Sequence, residues 1–157
     1  MNDEIKTFLR ESNAIEDVWD KESLANAIKA WEYLIKEDEL TLENILKTHE
    51  ILMEGKLPIE QTGKLRRVPV WIGGREGRPW FVLNELMGQW IHDATDTIDF
   101  LAEKLDVDDE IKLDHIAFEA IHPFVDGNGR MGRILMNWQR VKCHLPILVI
   151  KESKKMK

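Results

Sequence analysis

One stretch limits the fold more than any other, His122-Pro123-Phe124-Val125-Asp126-Gly127-Asn128-Gly129-Arg130-Met131-Gly132-Arg133. Apolar helical stripes flank it on both sides. A residue before proline disfavours the α region, so the upstream helix is expected to stop at His122. Glycines at 127 and 129 permit a tight loop, and a new helix is expected to start near Asn128. The chain must therefore leave one helix and enter another within a few residues, with its most reactive side chains at the join.

The chemistry of the stretch follows from residue type. His122 titrates near neutrality and can act as a base toward an incoming hydroxyl. The glycines around Asn128 let backbone N–H groups converge into an anion-binding nest, and the helix N-terminus behind them adds its positive dipole end. Arg130 and Arg133 share one face of that helix. Two guanidiniums at a helix N-terminus oppose the dipole, and an anion between them resolves the conflict. Asp126 offers a carboxylate beside that anion, the donor set in which Mg²⁺ binds one protein oxygen and phosphate oxygens. A glycine-rich helix start with surface arginines and a capping Asp explains any one of these residues. It does not explain the set, since eight constrained positions at average usage recur by chance with a probability on the order of 10⁻⁸.

Elsewhere the pattern is helical. Leu24, Ala27, Ile28, Trp31 and Ile35 form one stripe. Leu42, Ile45, Leu46, His49 and Met53 form another, opened by Thr41 as an N-cap and closed at Gly55. Leu83 through Leu105 reads as a helix of about six turns. Asp106 is expected to cap the next helix, through Ile121. Apolar residues on several of its sides (Ile111, Leu113, Ile116, Ala117, Phe118, Ala120, Ile121) mark it as central and buried. Met131, Ile134, Leu135, Trp138 and Val141 make the last stripe.

The segment 63–79 breaks the helical period with Gly63, Pro69, Gly73, Gly74, Gly77 and Pro79. Val68-Pro69-Val70-Trp71-Ile72 is extended in character and Gly73-Gly74 signals a turn, so a β-hairpin flap is expected in a mostly α domain.

The bulk properties set outer limits. The 157 residues suffice for one domain. A net charge of −7 argues against a nucleic-acid partner. The single cysteine, Cys143, and the acidic, non-apolar start at Met1 point to a reducing, cytoplasmic setting, with Cys143 as a small core residue. No apolar run approaches membrane-spanning length, so no membrane partner is expected. Lys151, Lys154, Lys155 and Lys157 read as a solvated tail. His49 reads as a core histidine and His115 as packing beside the loop. Arg66 or Arg67 is a candidate for nucleotide contact or flap anchoring. Trp71 and Trp80 flank a groove or serve as boundary anchors.

The stretch 122–133 resembles the Fic-family motif, His-x-Phe-x-Asp/Glu-Gly-Asn-Gly-Arg-x-x-Arg, at every defined position. Gly63-Lys64-Leu65-Arg66 with the Val-Pro-Val-Trp-Ile-Gly-Gly stretch is similar to the family's flap and its approach. The resemblance implies a mostly α Fic-type domain that transfers AMP from ATP to a Ser, Thr or Tyr hydroxyl of a target protein. It implies His122 as the base, Phe124 as the loop's core anchor and Asp126 on Mg²⁺. Gly127, Asn128 and Gly129 become the anion hole, with Arg130 and Arg133 on the β- and γ-phosphates. Val68, Val70, Trp71 and Ile72 become the target-binding flap. Ser12-Asn13-Ala14-Ile15-Glu16-Asp17 resembles the family's inhibitory motif, Ser/Thr-x-x-x-Glu-Gly/Asn, in which Glu16 would pair with Arg133. Asp17 departs from that pattern and is expected to weaken helix termination.

The organisation implied is an N-terminal inhibitory helix over 1–20, a Fic core over 21–150 with its flap about 63–79, and a charged tail over 151–157. Self-modification and a homodimer stay open as further partners. Glu16-dependent hydrolytic removal of AMP is an alternative reaction, and a non-catalytic nucleotide-binding module an alternative role.

Overall fold

A computed structural model describes residues 2–101 and 106–151, with the Leu101 side chain left aside. Leu105 of the longest stripe and Lys154, Lys155 and Lys157 of the tail lie outside the described residues. Among the described residues the chain forms α1 (Asp3–Ile15), α2 (Lys21–Ile35), α3 (Leu42–Leu52), β1 (Trp71–Ile72), β2 (Arg75–Glu76), α4 (Leu83–Leu101), α5 (Val107–Ile121) and α6 (Asn128–Lys142). The expectation of a mostly α domain with a small hairpin holds.

Local chemistry accounts for most boundaries. Thr41 opens α3 with a capping box, its hydroxyl taking the Asn44 N–H while Asn44 Oδ1 takes the Thr41 N–H. Asn2 and Asp20 cap α1 and α2. Gly73 and Gly74, at φ 58° and 82°, supply the two positive φ values of a two-residue hairpin turn, with Trp71 opposite Glu76 and Ile72 opposite Arg75. Asp106 holds the N-cap position of α5, but its side chain makes no capping bond, which corrects the expected cap.

A second correction concerns the centre of the domain. Leu113 and Ile116 of α5 are 56% and 61% exposed, and only Val107, Ile111, Phe118 and Ile121 reach the interior. The buried centre is α6, which contacts α1, α2, α4 and α5 and is buried from Arg130 to Arg140. Most of its buried polar groups find partners, Arg130 Nε and Gln139 Oε1 being exceptions. Asn137 exchanges two hydrogen bonds with the Leu148 backbone, at 3.0 and 2.8 Å. Arg140 donates to the Pro146 carbonyl and pairs with Asp108. Gln139 donates to Asp114, which also accepts from Thr97. The segment after α6 therefore folds back on it, with Leu145, Leu148 and Ile150 packed beside Met136 and buried Cys143.

The end of α1 differs from expectation as well. Asp17 adopts φ 60°, its N–H donates to the Ala14 carbonyl, and the Val18 N–H donates to the Asn13 carbonyl. This is a Schellman closure with aspartate in the left-handed position usually given to glycine. Termination is intact and the cost is conformational. Asp17→Gly is expected to stabilise the domain by about 0.5–1 kcal/mol in urea unfolding. No gain in stability would show that the Asp17 carboxylate, which accepts from Trp19 Nε1 at 2.7 Å, offsets the strain.

No helix among the described residues is long and apolar enough to cross a membrane.

Candidate active site

The loop between α5 and α6 is held from inside. Phe124 is fully buried and stacks on His49 at 3.8 Å and 7°. Asn128 turns its side chain inward, exchanging two 2.8 Å bonds with the Phe124 N–H and C=O. Its amide is thus committed to the loop, and only its backbone N–H is available to an anion. Gly127 sits at φ 87°, and a Cβ there would press on Met53 Sδ at 3.0 Å. The N-terminus of α6 has no side-chain cap, so its first N–H groups lack an intrahelical acceptor.

His49 fixes the loop from α3. The Gly63 N–H donates to Nδ1 at 2.9 Å, so Nδ1 is the acceptor and Nε2–H donates to the Asp126 carbonyl at 2.8 Å. Burial pushes its pKa down to about 4. The expectation of a satisfied core histidine stands, with the addition that it ties the loop to the approach of the hairpin.

His122 ends α5 as expected, but in the left-handed region at φ 51° and ψ 62°. Partial burial lowers its pKa below the ordinary histidine value. The nearby Glu119 backbone opposes that shift. In the neutral ring that results, one nitrogen keeps a lone pair able to accept a proton.

The two arginines differ sharply. Arg133 is occupied: Nε donates to Ser12 Oγ at 2.8 Å, and Nη2 donates to the Ser12 carbonyl at 3.1 Å and to Glu16 Oε1 at 2.8 Å. Arg130 is 5% exposed, donates to Met53 Sδ at 3.2 Å, and its Nε has no partner. A buried guanidinium short of acceptors, beside an uncapped helix start, has the chemistry to receive an anion. The Glu16 carboxylate lies against Gly129, with Oε1 2.5 Å from where a Cβ would stand. The structure thus brings Ser12, Glu16, Gly129 and Arg133 together across more than a hundred residues of sequence.

Asp126 is exposed at the loop's mouth, with Oδ1 accepting the Gly127 N–H at 2.7 Å. Among the described residues no group of three metal-ligating side chains gathers. A lone carboxylate beside phosphate donors fits Mg²⁺ held jointly with a nucleotide.

Val68, Trp71 and Ile72 of the flap are exposed, Trp71 by 69%, and Val70 is half-buried with its carbonyl accepting the Gly77 N–H at 2.7 Å. A cleft of about 920 Å³ opens beside the hairpin's base, lined by Val68, Trp80, Phe81, Leu65 and Val125 among others.

A model of the Fic/DOC family matches residues 39–139, most of the chain and all of the 122–133 stretch. The chain belongs to the Fic/DOC family.

Among curated relatives, the protein adenylyltransferase Fic of Drosophila grimshawi is 31% identical over 122 residues, covering 78% of this chain and 24% of the relative. The protein adenylyltransferase fic-1 of Caenorhabditis briggsae is 28% identical over 115 residues, covering 71% of this chain and 21% of the relative. The chain thus spans about a quarter of the length of these relatives. Two solved structures share the fold. A Fic domain containing signaling protein from Bacteroides thetaiotaomicron aligns at TM-score 0.82 and 20% identity, over 97% of this chain and 68% of its own. Fic-1 from C. elegans aligns at 0.75 and 19%, over 98% and 52%.

Three contributors were missed or only partly read in the sequence. Glu119 is half-buried, its Oε1 is buried without a partner, and desolvation raises its pKa to about 7. His49 was seen as core but not as the loop's tether. Arg66 proves to be buried, with its guanidinium on backbone carbonyls. The pairing of His115 Nδ1 with the Gly132 carbonyl at 3.2 Å puts that histidine against α6.

Proposed function

We propose that this domain transfers AMP from ATP to a Ser, Thr or Tyr hydroxyl of a protein target, and that Glu16 restrains the reaction. The observation that carries the reading is the contrast between the two arginines. Arg130 stands buried with an unpartnered Nε, while Arg133 is held by Ser12 and Glu16. A triphosphate supplies the acceptors that Arg130 lacks. The names of the relatives, protein adenylyltransferases, support AMP as the group transferred.

In this reading the phosphates lie on the N–H groups of Gly127, Asn128 and Gly129 at the start of α6. Asp126 would hold Mg²⁺, which neutralises phosphate charge when bound. Arg130 and, once released, Arg133 bind the β- and γ-phosphates. His122 takes the proton of the target hydroxyl as its oxygen forms a bond to the α-phosphorus and pyrophosphate leaves. Positioning and charge neutralisation supply most of the catalysis. Phe124 anchors the loop, and the exposed hairpin Val68–Glu76 offers a strand edge to the target by β-augmentation.

Glu16 places a carboxylate against Gly129 and on Arg133, in the space a terminal phosphate needs. The N-terminal segment, about residues 1–20, is then a restraint on the core that follows. The pair is partly exposed, so the restraint is modest in energy, on the order of 1–3 kcal/mol or roughly tenfold to a hundredfold in rate.

The test is incubation with ATP labelled at the α- or the γ-phosphate. We expect α-label on protein, and more of it by about tenfold or more with Glu16→Gly. Label from the γ-position alone would sink adenylyl transfer in favour of a kinase. Glu16→Gly that is no faster than wild type would remove the restraint. Loss of AMP release from a modified target in Glu16→Gly would favour the hydrolytic reading, in which Glu16 positions water.

A further inference from the structure

Arg66 lies just before the hairpin, and only 2% of it is exposed. Its partners are all backbone carbonyls. Nε donates to His122 at 2.7 Å, Nη1 to Val68 at 3.0 Å, and Nη2 to Arg78 at 2.7 Å and Ile121 at 3.4 Å. Its own N–H donates to the Pro123 carbonyl at 2.9 Å. No described carboxylate forms a salt bridge with it.

A buried cation without a counter-ion is a costly way to fill space, and a methionine would fill it with less desolvation. What a guanidinium adds is a rigid fork of five donors. Here the fork spans three places. Ile121 and His122 are the carbonyl end of α5, where the helix dipole favours a cation. Val68 and Arg78 are the two feet of the hairpin, one before β1 and one after β2. His122 is also the strained member of the loop, at φ 51°. Bonds from Arg66 to the carbonyls of His122 and Pro123 bracket that residue on its C-terminal side.

We propose that Arg66 is a positioning residue that locks the left-handed backbone of His122 and joins it to both feet of the hairpin, so that a target strand on the hairpin is held in register with the base. The proposal rests on the transfer reading given above. It gives a reason why the flap and the histidine, fifty residues apart, share one side chain. Arg66 also bears on His122 electrostatically, as one of the influences that lower the histidine's pKa.

The test uses Arg66→Met and Arg66→Lys, each in the full chain and in the Glu16→Gly background. Three quantities are read: ATP affinity by calorimetry with Mg²⁺, α-label transferred to the protein itself, and the NMR titration of the His122 imidazole. Arg66→Met is expected to lose transfer by about a hundredfold, the scale of an ångström of misplacement, with ATP affinity changed by a factor of a few at most. Its His122 titration should move upward, and Arg66→Lys, which keeps charge but not the fork, should restore the titration more than the rate. If Arg66→Met fails to fold, Arg66→Lys carries the test alone, by a lowered rate at retained ATP affinity. A rate close to the parent's, or a lowered rate with an unmoved His122 titration in Arg66→Met, overturns the proposal. If the Glu16→Gly parent transfers no α-label, the transfer reading has failed, and the titration still reports whether Arg66 governs His122.

Discussion

His122→Ala is expected to lower α-label transfer by about 10²- to 10⁴-fold while ATP binding persists. Its pKa lies below the ordinary histidine value, so the neutral ring offers a lone pair to accept the proton. The backbone at this position is left-handed, which histidine adopts more readily than alanine, so retained ATP binding is the control that separates loss of the imidazole from strain in the loop. Phosphate binding should survive, because the α6 N-terminus and Arg130 do not use the His122 ring. The pH profile makes a second check. Burial keeps the imidazole below the ordinary histidine value, so the neutral, proton-accepting form dominates at pH 7. The rate should fall only as pH drops below about 6.5. Transfer that survives His122→Ala would show that the hydroxyl needs no base from this loop.

The second large effect concerns stability. His49 is held near 4 against an ordinary 6.5, and Glu119 near 7 against 4.5. Each displacement corresponds to about 3 kcal/mol at most. Their signs oppose. Between pH 6.5 and 4 the unfolded chain protonates His49 while the folded one does not, so that contribution is present above 6.5 and lost as pH falls toward 4. Between pH 4.5 and 7 the folded chain holds a proton on Glu119 that the unfolded one releases. That contribution is full below 4.5 and lost as pH rises through 7. The two nearly cancel across pH 4.5 to 6.5. Glu119→Gln should therefore be more stable than wild type at pH 8, by about 2–3 kcal/mol, and no more stable at pH 4.5. It should also unmask the acid-side loss due to His49. Urea unfolding at the two pH values decides it: an equal difference at both would mean that Glu119 does not carry a proton in the folded state.

The parts of the site that could be read from the chain alone are those set by neighbours in sequence. Pro123 ends a helix and Gly127 frees the loop wherever they stand, and Gly73-Gly74 makes the same turn in any hairpin. The parts that could not be read depend on what a distant segment brings. Apolar content marked α5 as central, yet α6 is buried, because Asn137 and Arg140 meet Leu148, Pro146 and Asp108, partners no periodicity reveals. By sequence alone Arg66 is open between a nucleotide contact, a surface role and a flap anchor, and only the structure settles it as an anchor, since its acceptors are carbonyls and carry no side-chain signature. Asp17 looked like a defect in the N-terminal motif, and the structure shows a well-formed closure with an aspartate paying the strain. The tail beyond Lys151 lies outside the described residues.

The way α1 is seated decides what kind of restraint Glu16 can be. Ile5, Phe8, Leu9 and Ala14 belong to the buried interior, with Phe8 edge-on to Trp31 of α2. Withdrawing that helix would expose several large side chains, each worth about 1.5–3 kcal/mol, far more than the single ion pair at its end. Glu16 stands at the helix's last turn with its side chain 41% exposed, free to swing without its helix. In the proposed reading the restraint would therefore work as a latch on a fixed post. Such a latch would be joined to the site by the same chain, so dilution would not open it and an added copy of the segment would find no vacant seat. Whatever opens it must act on one carboxylate: a competing cation, a modification near Ser12, or a triphosphate that outbids it for Arg133.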